Sequence, residues 1–432
     1  MNVELAYGKT GLIIDVPEER TTVIEPTFLP GLPDERGALI NAIRTPIGTR
    51  PLKQTVGSDQ TVAISVCDIT RPMPSSRVLP ILLEELSHVP DEQITILIAT
   101  GTHRQNTHIE LKEMLGADIV DRYQVVNHNG FDHGSVTNVG DTSNGVPILL
   151  NRIWIDADFR ITTGFVEPHF FAGFSGGPKM VAPGLAAFET IIGLHSAPLI
   201  AHTNSVWGIT DGNPIHDSIR EISYKTGVDF SIDVTINRDH GITSVYAGEL
   251  FAVHKAACDV SRRLSMQAVN SPYDIVITTN SGYPLDMNVY QSVKGMSAAA
   301  QIVRDGGTII CASECSEGIP DHGEYKNLLA SRNTPEELLD MINTTGYTSH
   351  DQWQVQIQAQ IQLKAEIQLK SDFLTPDQIT ATHLTPIDDL NAAIVESLEN
   401  HGGSARICVL PQGPQTIPYL TRTSAKHDRR TI

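Results

Sequence analysis

The sequence predicts an α/β protein of two domains, each a mainly parallel sheet flanked by helices, with its active site in the cleft between them. Three observations carry this expectation. Short β-branched apolar runs alternate with helical patterns along the chain. Polar clusters recur at the C-terminal ends of the expected strands, where open α/β sheets place their ligands. A second series of strands begins near residue 272, after Val269-Asn270-Ser271-Pro272, which divides the chain into domains 1–270 and 271–432.

In chain order, residues 62–68 (VAISVCD) form the first strand, followed by a proline-punctuated turn and a helix over 78–86. Residues 94–100 (ITILIAT) form the next strand. Gly101-Thr102-His103-Arg104 follows it, and then a helix over 108–115 with Asn106 or Thr107 as its cap. Residues 158–164 (DFRITTG) make a third strand that runs into 167–184 (EPHFFAGFSGGPKMVAPG), too densely broken by Gly and Pro for an ordinary element. In the second domain, 274–279, 307–312 and 405–410 read as buried strands. Thr334-Pro335-Glu336-Glu337 and Thr385-Pro386-Ile387-Asp388 each read as a helix start, with a Thr cap, Pro at the first position and an acid at the third. Residues 353–370 (WQVQIQAQIQLKAEIQLK) alternate like a strand but run to about three times the usual strand length. Their composition favours helix and Ile357, Ile361, Ala365 and Leu369 form an i, i+4 stripe, so a single helix is expected. Residues 421–432 are expected to fray.

Composition excludes several function classes. Asp and Glu outnumber Lys and Arg 50 to 31, a net charge of −19, which argues against nucleic acid as a partner. Five cysteines make no disulfide framework, and Cys311 and Cys315 are a C-x-x-x-C pair without the second half of a zinc site. The first residues lack a signal-peptide pattern and no apolar run approaches a membrane span, so a cytoplasmic protein without a membrane partner is expected; a homo-oligomer is left open.

The chemistry concentrates in a few places. Lys179 lies in a Gly-rich stretch, but Pro178 stands where a phosphate-binding loop needs glycine, so this is not a P-loop. Glycines there would let backbone approach a ligand; a tight loop with a solvated lysine is the plain alternative. Sixteen histidines are present, and a lone histidine is more often structural than catalytic. His103 and His169, however, each follow a strand, and imidazoles on adjacent strand ends suit acid–base work on two faces of one stereocentre. His128, His133, His202, His216 and His322 have no such context and read as surface or structural. Asp68-Ile69-Thr70-Arg71 closes the first strand; Asp68 reads as readily as a helix cap and Arg71 as a surface ion pair, although the Arg71 fork suits a carboxylate. Gln291 and Lys294, three apart near the start of an expected helix, share one face.

These motifs together resemble a known family. D-I-T-R-P (68–72), G-T-H-R (101–104), E-P-H-F-F-A-G-F-S-G-G-P-K (167–179), His195 and Y-Q-S-V-K-G (290–295) are similar, in order, to the lactate racemase family of nickel-pincer-nucleotide enzymes. The resemblance implies a 2-hydroxy acid racemase or epimerase working by hydride removal and return at C2. It implies that Lys179 is joined covalently to the cofactor, a Ni(II)-pyridinium-3,5-bisthiocarboxylic acid mononucleotide loaded by cofactor-biosynthesis enzymes, with His195 as the protein ligand to nickel. Asp68, Ile69, Thr70 and Arg71 would contact cofactor or substrate, His103 and His169 would be the acid–base pair, and Arg71, Gln291 and Lys294 would bind the substrate. Imidazole suits Ni(II), and hydride removal avoids abstracting a poorly acidic C2 proton beside an ionised carboxylate. A metal-independent, proton-abstracting epimerase or dehydratase, and a non-catalytic carrier of the nucleotide, are the other readings these residues allow.

Overall fold

The structure, a computed structural model, describes residues 1–321 and 323–421, so His322 and all but the first residue of the expected frayed tail lie outside the described residues. The chain forms two compact units: Thr27–Leu264 is one, and Met1–Pro26 with the chain from Ser265 onward is the other. The second strand series thus begins a new unit close to residue 270, but the first 26 residues differ from the expected division. Thr21–Val23 adds in parallel to Ile407–Leu410 and forms the edge of that sheet. The antiparallel pair Asn2–Leu5 and Leu12–Asp15 buries Val3, Leu5 and Ile14 in the core of the C-terminal unit. Burial of these apolar side chains, not proximity in sequence, decides where the segment belongs.

The Thr27–Leu264 unit is built on six strands: β1 (Val62–Cys67), β2 (Ile94–Ala99), β3 (Gln124–Asn127), β4 (Phe159–Phe165), β5 (Phe230–Ile236) and β6 (Ile242–Gly248). Their spatial order is β3-β2-β1-β4-β5-β6, all parallel except β6. β1 is buried along its whole length, as a strand covered on both faces must be, which explains a sequence that is apolar but for Ser65. The helix His108–Leu115 starts where expected: Thr107 accepts from the Glu110 amide while Glu110 reaches back to the Thr107 amide, a reciprocal cap worth about 1 kcal/mol. Strand order reverses between β1 and β4, and in a doubly wound sheet the crevice outside those two strand ends is where ligands bind.

The C-terminal unit has a second six-stranded sheet, in which Tyr273–Thr279 lies between Val303–Ala312 and Ile407–Leu410. Two expectations fail here. Residues 353–370 are not one helix: Gln352–Lys364 is helical and Ala365–Lys370 is a strand paired in parallel with Val303–Ala312. The helical part is buried nearly all round, and its Gln354, Gln358 and Gln362 donate their amides to the carbonyls of Tyr290, Thr382 and His383. The side-chain amide nitrogens of these three glutamines, which imitate a strand pattern, therefore anchor the helix, each with a carbonyl acceptor. Thr385-Pro386-Ile387 is not a helix start either; Thr385–Ile387 is a short edge strand against Ala365–Lys370, and the next helix, Leu390–His401, is capped by Asp389. The other expected start is real, with Thr334 capping Pro335–Ile342 through the Glu337 amide. Among the described residues, no helix is long and apolar enough to cross a membrane.

Candidate active site

The loops at the β1/β4 reversal carry the residues of interest. Asp68 directly follows β1 and is buried, 3% exposed, with its carboxylate 2.8 Å from Nδ1 of His103, which follows β2. The Thr70 hydroxyl donates to the other Asp68 oxygen at 2.7 Å. Burial alone would push the Asp68 carboxyl up. The His103 hydrogen bond and charge, the Arg71 guanidinium and the Thr70 hydroxyl outweigh burial and hold it below the usual carboxylate range. Asp68 is therefore not a helix cap; the helix Ser75–Glu85 begins after Pro74. Ile69 is half-buried, and Arg71 is exposed, its guanidinium 3.5 Å from the Thr70 carbonyl.

His169 follows β4, so the two histidines do not sit on adjacent strand ends as expected: β1, with Asp68 at its tip, lies between their strands. The segment after β4 folds as a small antiparallel hairpin, Pro168–His169 against Gly173–Phe174, and then a tight turn, Gly177–Met180, that carries Lys179. Its glycines do not primarily serve a ligand. A Cβ on Gly173 would lie 2.2 Å from the Ile209 carbonyl oxygen, and one on Gly177 would lie 2.5 Å from the His254 ring, so they let the loop pack against its own protein. The lysine turn is pinned from beneath: Ser65 of β1 donates to the Met180 carbonyl at 2.7 Å, and Asp233 of β5 accepts from the Gly177 amide at 3.0 Å.

The side chains of this segment converge on Phe171. Its ring meets His169 edge-on at 4.5 Å and His195 at 5.0 Å, and the Lys179 Nζ lies 5.9 Å from its centroid. Phe170 and Trp207 extend the aromatic cluster. His195 ends the helix Phe188–Leu194 and is buried; its Nδ1, 2.6 Å from the Ile191 carbonyl, must carry a proton, so in the neutral ring Nε2 is the lone-pair nitrogen. That is the tautomer a metal ligand at Nε2 requires. A half-buried lysine and an imidazole of this kind against one aromatic ring fit a metal-bearing organic group joined to Lys179 and ligated by His195.

Gln291 and Lys294 belong to the C-terminal unit, on the helix Val289–Ala300, whose Asn288 cap accepts from the Gln291 amide. Both are half-buried. Two features escaped the sequence reading. Phe171 gives no motif signal of its own. Asp233, an acid in the middle of the apolar strand FSIDVTI, gives a visible one: it is fully buried, and burial pushes its carboxyl up to about 7, only partly offset by the Gly177 amide. Nearby His216 and His254 stack at 5.5 Å and are pushed down to about 3 and about 4, chiefly by burial. His128 is likewise a buried structural residue bonded to the Ala186 carbonyl. All five cysteines are buried thiols.

Residues 7–208 match the lactate racemase N-terminal domain and residues 268–417 the lactate racemase C-terminal domain. The chain therefore belongs to the lactate racemase family, and it is an isomerase. It is 35% identical over 425 residues to a lactate racemase of Thermoanaerobacterium thermosaccharolyticum, covering 96% of this chain and 99% of that protein. It is 36% identical over 418 residues to a lactate racemase of Lactiplantibacillus plantarum, covering 95% and 98%. The solved lactate racemase apoprotein of T. thermosaccharolyticum superposes with a TM-score of 0.91 at 32% identity, over 97% of this chain and all of that one. A Thermotoga maritima protein of 18% identity, TM-score 0.67, covers 91% of this chain and all of its own, and shares the fold.

Proposed function

We propose that this isomerase interconverts the stereoisomers of a 2-hydroxy acid, lactate or a close analogue, using a nickel-pincer nucleotide attached to Lys179. The observation that carries this reading is the meeting of Lys179, His195 and His169 on the Phe171 ring, after a strand whose neighbour in the sheet, β1, leads into the Asp68–His103 pair. When bound, the cofactor supplies the two-electron chemistry by which the C2–H bond breaks and re-forms. Lys179 anchors it and the Nε2 of His195 ligates its metal. His103 and His169 take and return the hydroxyl proton, one for each stereoisomer. Lys294 and Gln291 bind the substrate carboxylate by charge and hydrogen bond, and the exposed Arg71 fork supplies a further bidentate donor. Asp68 to Arg71 line the cofactor. Enzymes that build and load the nucleotide are the implied partners.

The test is the protein produced together with cofactor-making enzymes. Intact mass should show an adduct, peptide mapping should place it on Lys179, metal analysis should find nickel, and the loaded protein should racemise D- and L-lactate. Racemisation by protein carrying neither adduct nor nickel would refute the reading. A substrate deuterated at C2 should keep its label through turnover in ordinary water; rapid washout would point to simple proton abstraction.

A further inference from the structure

The two acid–base histidines differ in what holds them. We propose that the protein fixes His103 and His169 in opposite neutral tautomers: the resting site presents a lone pair at His103 Nε2 and an N–H at His169 Nε2. This inference rests on the functional reading above, that both imidazoles exchange the substrate's hydroxyl proton.

At His103 the Nδ1 faces the Asp68 carboxylate at 2.8 Å. An ionised carboxylate only accepts hydrogen bonds, so Nδ1 carries the proton and Nε2 the lone pair. At His169 the partners are of the opposite kind. The backbone N–H of Ala172 points at Nδ1 at 3.2 Å and that of Phe171 at 3.5 Å. An amide N–H only donates, so Nδ1 is the acceptor and the neutral ring carries its proton on Nε2. The arrangement is built into the fold. His169 pairs with Gly173 across the hairpin, and Gly173 is held at φ +80° against the Ile209 carbonyl. Phe170 and Phe171 clamp the ring at 5.0 and 4.5 Å. His195 shares the His103 pattern, with a backbone carbonyl as the acceptor at Nδ1, so His169 alone of the three is turned the other way.

The consequence is kinetic. A hydroxyl facing His103 can pass its proton directly to Nε2: the O–H bond breaks, an N–H bond forms, and the imidazolium charge lies against Asp68. A hydroxyl facing His169 meets an N–H instead. His169 can accept there only after its own proton moves to Nδ1, where it confronts two amide donors. One stereoisomer therefore reacts from the resting state and the other waits on a rearrangement of the hairpin. Asp68 is a positioning residue in this scheme, acting through His103.

The experiment reads the tautomers directly, by long-range proton–nitrogen correlation NMR of the full chain labelled with nitrogen-15 histidine, at about pH 9 where imidazoles are neutral. His103→Gln and His169→Gln assign the two rings. The expected result is a protonated Nδ1 at His103 and a protonated Nε2 at His169. Asp68→Ala should move His103 to an ordinary mixture and leave His169 unchanged, and Asp68→Asn repeats the measurement with the site's volume kept. The same tautomer at both rings, the reverse assignment, or a His103 spectrum indifferent to both Asp68 variants would overturn the inference. Failure of the functional reading looks different: racemisation would survive both His→Gln substitutions whatever the tautomers are.

Discussion

The two units use a similar strand plan and treat its reversal point in opposite ways. In the Thr27–Leu264 unit, the loops beyond β1 and β4 carry Asp68, His169 and the Lys179 turn, the groups on which the proposed function rests. In the C-terminal unit, the equivalent point lies between Tyr273–Thr279 and Ile407–Leu410, and the chain closes it with its own backbone. A Cβ on Gly295 or on Gly413 would lie 2.1 Å from the Thr279 carbonyl oxygen, the Thr279 hydroxyl bonds to the Pro411 carbonyl at 3.3 Å, and Ser281 bonds to that of Gln412 at 2.7 Å. A shared topology offers a crevice; loop chemistry decides whether it becomes a site or a sealed joint. The Lys179 turn also has a buried cost beneath it, in Asp233, His216 and His254, charged forms of which the interior disfavours.

The sharpest test of this contrast is Lys179→Ala. It should abolish the adduct and all racemisation while changing unfolding free energy by less than about 1 kcal/mol, since a loop lysine contributes little packing. Intact mass and a thermal melt measure the two sides; a collapsed melt would make the Lys179 turn as structural as the sealed joint. Next in size, His103→Ala and His169→Ala should each slow steady-state racemisation about 10²–10⁴-fold in both directions. Single turnovers from each pure enantiomer should show opposite preferences in the two variants, and a shared preference would contradict their assignment to opposite faces.

Asp233→Asn tests the cost beneath the site. A carboxyl raised to about 7 in the folded state binds a proton that the unfolded chain, near its usual value of about 3.9, has already lost. Its stabilising contribution is complete below about pH 4 and is lost as pH rises through about 7, a swing on the order of 2–4 kcal/mol. The variant should therefore match wild type near pH 4 and melt higher near pH 8; a pH-independent difference would contradict the burial argument. The smallest expected effect is on the sealed side. Gly413→Ala should cost about 1–3 kcal/mol in denaturant unfolding, from overpacking and a φ of +51°, and leave turnover per folded molecule unchanged. Loss of turnover without loss of stability would make the sealed joint part of the site.

The elements that could be read from sequence are those with purely local causes. β1 and β2 are apolar runs bounded by turn residues, and His108–Leu115 begins at a capping box that needs only four residues. The failures have tertiary causes. The glutamines of Gln352–Lys364 look like an exposed strand face until the carbonyls they bond are known. Thr385–Ile387 carries a helix-start pattern, yet the edge of Ala365–Lys370 offers it a ladder, and Asp389 supplies a better cap. Thr21–Val23 lies far in sequence from the strand it joins.

The same division runs through the site. The chain itself determined the inventory: which lysine, which histidines, which acid and arginine, and the order of motifs that marks the family. Only the tertiary structure decided that β1 separates the strands of His103 and His169, that Lys179, His169 and His195 meet on Phe171, and that the loop glycines face protein. It also decided which nitrogen of each imidazole holds the proton. The physical reason is range: propensity and capping act within a turn or two of the chain, whereas an imidazole takes its tautomer from whatever donor or acceptor the fold brings to it, for His103 an aspartate 35 residues away.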